Sequence, residues 1–222
     1  MGNAFASIPN KELAQNDLIK LRAASILNKE LAWKDLHKLT QDKDSKVRWS
    51  ATHAIGDAFA HLPNKELAWK DLIKLAQDED WYVRLGAAHA IGDAFASIPD
   101  KEKAWKDLHK LTQDKKDWVR RSAADTIGDA FASIPDKEKA WKDIYKLTQD
   151  NVSEVRSASN YAIGRIYILK ASESSNEVYF KKNLEEAINY FDKYLKEKSL
   201  FNPAEFCSPF YKSYYNLHFA LR

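Results

Sequence analysis

"DKEKAWKDLHKLTQD", residues 100–114, recurs almost word for word as "NKELAWKDLIKLAQD" at 64–78 and as "DKEKAWKDIYKLTQD" at 136–150. This phrase decides the fold, and its tryptophan is either a ligand platform or mortar between building blocks. Trp33, Trp69, Trp105 and Trp141 are spaced by 36 residues each time. A fixed period of roughly 20–50 residues marks a solenoid or a propeller, and the content of the unit selects between them. Ala104, Leu108 and Leu111 fall at i, i+4 and i+7, one face of a helix, with Asp100 placed as N-cap and Glu102 in the first turn. Lys106, Asp107 and Lys110 are assigned to its wet side. The polar link "QDKKD" leads to a second stripe, Val119, Ala123, Ile127 and Phe131, ended by Pro135. Each unit is therefore helix–turn–helix. Alone it cannot bury both faces, and stacking supplies the missing core.

The bulk numbers agree with a folded helical chain. Of 222 residues, 45% are hydrophobic and 30% charged, and only 6 are Gly and 6 Pro, too few for an all-β fold full of tight turns. No apolar run approaches the ~18 residues that cross a bilayer. The start, "MGNAFASIPNKELA", lacks the pattern of a secretory signal, and Ala6 stands where a myristoylation motif wants Ser or Thr. Cys207 is the one cysteine, so no internal disulfide forms and the cytoplasm is the expected location. A formal charge of +3 is too small to imply nucleic acid or membrane by itself.

Comparing the four copies with one another separates constant from variable positions. Asp42, Asp78, Asp114 and Asp150 are identical, and so are Arg48, Arg84, Arg120 and Arg156, always six residues on and each preceded by Val. This "D…VR…A…IG" pattern resembles HEAT repeats, in particular the short units of prokaryotic proteins, over residues 34–169. The resemblance implies an all-α fold, an α-solenoid built as a right-handed superhelix of helix pairs, with Asp and Arg forming an ion-pair ladder between neighbouring repeats. Residues 1–33 read as an irregular, partial first copy, 34–170 as the repeat array, and 171–222 as an aromatic-rich helical cap. In that cap Leu184, Ile188, Phe191 and Leu195 line one side of a long helix. The tail phrase "NPAEFCSPFY" resembles tails of HEAT-repeat proteins of methane-cycling archaea, which implies an archaeal source.

Function belongs where the copies differ. The tryptophan, the ladder residues and Gly56, Gly92, Gly128 and Gly164 occur in every unit, so they are read as structural, the glycines as points of close helix approach. On the second helix of each unit one face varies: Lys46, Trp49 and His53; then Tyr82, Leu85 and His89; then Trp118, Arg121 and Asp125; then Glu154, Ser157 and Tyr161. In HEAT-like arrays the second helices line the concave side. Trp49, His53, Tyr82, Leu85, His89, Trp118, Arg121, Asp125 and Tyr161 are the expected protein-binding residues, since exposed Trp, Tyr and Arg are enriched at interface hot spots. His53 and His89 precede Asp57 and Asp93 by four residues, which reads as local His–Asp pairs; no HExxH or CxxC is present, and no metal or other cofactor is expected. No nucleophile elbow, P-loop or GxGxxG fingerprint occurs.

Three functions compete. The favoured one is a non-catalytic scaffold that binds another protein, of unknown identity, on the concave face. The second is a nucleic-acid binder or a HEAT-like DNA glycosylase. Against it, residues 34–69 carry six bases to five acids, 70–105 five to seven, and 106–141 eight to seven, without the basic stripe a phosphate backbone demands. The third is a structural module that self-associates through its N-terminal segment.

Overall fold

A computed structural model describes residues 26–197 and 204–220; the expectations for residues 1–25 lie outside them. The described residues contain ten α-helices and no strand: α1 (Ile26–Leu39), α2 (Ser45–Ala58), α3 (Lys65–Leu75), α4 (Trp81–Ala94), α5 (Lys101–Leu111), α6 (Asp117–Ala130), α7 (Lys137–Leu147), α8 (Ser153–Ser172), α9 (Glu177–Lys196) and α10 (Ala204–Tyr215). They pack as consecutive pairs, the α-solenoid plan. The chain divides into two compact units, Met1–Leu111 and Thr112–Arg222. In the first, α2 stacks on α4, with α1 and α3 packed behind them and α5 against α4; in the second, α6 stacks on α8, α7 packs against both, and α9 covers α8 and carries α10.

Local chemistry sets the boundaries. First helices begin at Asn64, Asp100 and Asp136, whose side chains accept the amides of Leu67, Lys103 and Lys139 at 2.9–3.0 Å, satisfying one orphan donor each. The link to each second helix is held by the repeated aspartate. Asp42, Asp78, Asp114 and Asp150 accept the amide two residues on at 2.8–2.9 Å, the side-chain turn that Asp favours. Second helices stop ahead of the prolines. Phe131–Ser133 tightens into a 3-10 turn and Ile134 is extended, as the residue before proline prefers.

Trp33, Trp69 and Trp105 are 3%, 4% and 2% exposed. The indole N–H groups of Trp69 and Trp105 are buried with no hydrogen-bond partner, so these positions use the ring for its volume, as mortar. Trp141 is only half-buried. Its ring is covered by the edge of Tyr167 and by the Lys170 ammonium, 4.3 Å from the ring centroid. Close stacking of second helices requires a missing side chain: a Cβ on Gly56 would stand 2.8 Å from Ala90 Cα.

Two expectations are corrected. Asp107 is buried rather than wet: it faces inward and takes the Lys110 ammonium at 2.7 Å. On α9 the buried stripe is Leu184, Ala187, Phe191 and Tyr194, while Leu195 is 36% exposed. The i, i+3, i+7, i+10 spacing of that stripe lets α9 lie along α8, whereas the expected i, i+4, i+7, i+11 set places Ile188 and Leu195 off its edge.

Candidate functional site

The ladder residues form compact joints. Arg48 Nε and Nη2 donate to both carboxylate oxygens of Asp78 at 2.8 Å, and Nη1 donates to the carbonyls of Asp42 and Lys43. Arg120 repeats this with Asp150 at 2.7 and 2.8 Å and with the carbonyls of Asp114 and Lys115. One arginine thus locks its own loop and the next repeat's loop together, with a rigid fork that lysine lacks. Asp78 holds the guanidinium of Arg48 above its ordinary pKa. Burial pushes the Asp150 carboxyl up, but hydrogen bonds from Arg120 and the Val152 amide outweigh it and the group lies below the usual range. Arg84 is buried and donates to the carbonyls of Asp78 and Glu79. Arg156 has no following repeat; Glu197, just past α9, accepts its fork at 2.9 and 2.8 Å instead.

In the first unit the variable positions of α2 and α4 form a strip of rings. Trp49 stacks on Tyr82 with centroids 4.9 Å apart and an interplanar angle of 17°. His53 meets Trp49 edge-on at 4.5 Å, and His89 lies 6.3 Å from His53. Trp49 lies flat because residue 86 is glycine: a Cβ there would stand 2.8 Å from Trp49 Cδ1 and 3.2 Å from Nε1. Tyr82 and its neighbour Trp81 are each 37% exposed, and Leu85 is partly covered. Burial lowers the His53 pKa, against a smaller opposing pull from Asp57, so this imidazole is neutral at pH 7.

In the second unit the corresponding face is charged. Arg121 lies over the Trp118 ring at 5.1 Å, and Trp118 is 39% exposed. Arg165 pairs with Asp129 at 2.5 Å and lies over Tyr161 at 5.3 Å. Burial pushes the Asp125 carboxyl up to about 6, against the opposing pull of Arg121 and Arg165. Tyr161 packs on Phe191 and Tyr194 of α9, so its ring is largely taken up by the chain itself.

The expectation from sequence missed several residues. His37 Nδ1 is 2.6 Å from the buried Asp71, and burial, partly countered by His37, raises the Asp71 pKa. The signal was the repeated "WKD" aspartate, read only as polar. Gly86, Arg165 and Glu197 were also passed over. Among the described residues no cluster of His, Cys, Asp and Glu could hold a metal ion, and no helix is long and apolar enough to cross a membrane. An apolar cavity of about 180 Å³ lies beside α10, lined by Ile168, Phe180, Leu184, Phe210 and Tyr211 among others.

These helix pairs and the joints between them define a helical-repeat protein of the α-solenoid class. The profile of HEAT repeats matches residues 34–128 and again 69–164, and the chain belongs to the HEAT-repeat family. No curated protein matches the chain. Among solved structures it is similar to a crystal structure of an engineered protein, at 21% identity and a TM-score of 0.49 over 95% of this chain and 93% of that one.

Proposed function

We propose that the chain is a non-catalytic interaction module of the cytoplasm that binds a partner protein through the variable faces of its second helices. HEAT repeats commonly mediate protein interactions, which sets the coarse reading. The observation that carries the finer one is the exposure of Trp81, Tyr82 and Trp118 at more than a third each, on positions that the packing leaves free to vary. Large exposed rings are the residue type that binding surfaces use. The protein-binding set comprises Trp49, His53, Tyr82, Leu85 and His89 in the first unit, and Trp118, Arg121 and Asp125 in the second. Panning a random-peptide display library against the purified chain should enrich binders. Tyr82→Ala and Trp118→Ala should keep the helicity and melting temperature of the parent yet lose that enrichment. Sub-micromolar affinity for any DNA or RNA in a gel shift at physiological salt would favour the nucleic-acid reading instead.

A further inference from the structure

Corresponding positions of successive repeats carry Asp57, Asp93, Asp129 and Arg165; the three aspartates lie in the last turn of their second helices, and Arg165 holds the equivalent place inside the longer α8. A carboxylate in the last turn of a helix opposes the helix dipole. None of α2, α4 and α6 has a basic residue in that turn. In the second unit the conflict is resolved within the chain, since Arg165 closes on Asp129 and its guanidinium lies over Tyr161. In the first unit the partner position across from Asp57 is Asp93, another acid, and both are exposed. Asp57 forms no ion pair with a lysine or arginine among the described residues, and the neutral His53 one turn back does not supply the charge. Arg48, the nearest arginine in sequence, is committed to Asp78. The same face carries the Trp49–Tyr82 stack, eight residues or ~12 Å along α2 from Asp57. Asp57 therefore lies at one end of an aromatic shelf, without the cation that Arg165 supplies to Asp129.

We propose that the α2–α4 face of the first unit docks an extended, arginine-bearing peptide segment of a partner protein. Its guanidinium pairs with Asp57 as Arg165 pairs with Asp129, and a large apolar side chain lies on the Trp49–Tyr82 shelf. At ~3.3 Å per residue of extended chain, ~12 Å sets the two anchors three to four residues apart. Arginine suits the slot better than lysine because a planar fork both pairs with carboxylate and stacks on rings. The inference rests on the second helices being the protein-binding surface.

The test uses the full chain and fluorescein-labelled nonapeptides of Gly and Ser that hold one Arg and one Trp, separated by one, three or six residues. The three-residue spacing should bind tightest. Citrulline in place of Arg, or Asp57→Asn in the protein, should weaken it about tenfold or more, whereas Glu66→Gln, on α3 and paired with Lys70, should leave it unchanged. Thermal melts confirm that each variant is folded. Equal binding of the citrulline peptide, indifference to Asp57→Asn, or no dependence on spacing overturns the arginine assignment. If arginine-free peptides bind and Tyr82→Ala abolishes their binding, the protein-binding reading survives without it. If no peptide of any sequence binds the folded chain, both fall.

Discussion

At the scale of single residues, glycine 86 and aspartate 125 make opposite demands. Gly→Ala inside a helix ordinarily stabilises, by up to ~1 kcal/mol. At residue 86 the new methyl would meet Trp49, which is itself wedged against Tyr82 and His53. Gly86→Ala should therefore destabilise, by about 1–3 kcal/mol in denaturant titration, and the added change Trp49→Ala should recover part of the loss. Asp125 gives a pH signature. Its folded pKa of about 6 lies above the ordinary aspartate value, so between the two the native state binds more protons than the unfolded chain. The contribution of this group is fully present below the ordinary aspartate range and is lost as pH rises through about 6. The loss is on the order of 1–3 kcal/mol. Asp125→Asn should shrink the difference in melting temperature between pH 4 and pH 7, and an unchanged difference would place the titration elsewhere.

At the scale of elements, the joints matter more than the helices they join. Five N–H···O contacts converge on one guanidinium in Arg120, whose side chain is 14% exposed. Lysine can reach one of those acceptors at a time. Arg120→Lys should cost about 2–4 kcal/mol, nearly as much as Arg120→Ala, because either change leaves Asp150 without its fork. Thermal unfolding of the two variants side by side decides this, and near-native stability of the lysine variant would reduce the joint to a simple charge pair. Such joints were half legible in the sequence. The identity of Asp and Arg in four copies announced them, but the second duty of each aspartate, holding its own loop through the amide two residues on, needed coordinates.

At the scale of the whole chain, what repeats could be read and what breaks the repeat could not. The 36-residue period and two apolar stripes define the first eight helices and their order. Glu197 escaped because the acceptor for Arg156 arrives from outside the period, after a helix of different length. His37–Asp71 escaped because Ile73 and Tyr145 stand at the histidine's place in other copies, so no constant pair shows. The binding face was legible as variability, but its division into a stacked aromatic strip in one unit and an internally paired charged face in the other depends on Gly86 and Arg165. The end joint is testable in turn. Arg156 and Glu197 are 29% and 25% exposed, so Glu197→Gln should cost less than the loss of Arg120, about 1 kcal/mol, and should speed hydrogen exchange at the C-terminal end of α9.

The notch beneath Trp49 has a further meaning for how such a chain sorts itself. Four copies with nearly interchangeable joints invite mispairing, since Arg48 would find the same fork acceptor in any later copy. Only one second helix has glycine where Trp49 lies; its equivalents are Ser50, Ser122 and Ala158. A repeat that docked on the wrong neighbour would drive its indole into a side chain. The missing atom at residue 86 thus acts as an address, by which α2 recognises α4 among its look-alikes while the chain folds.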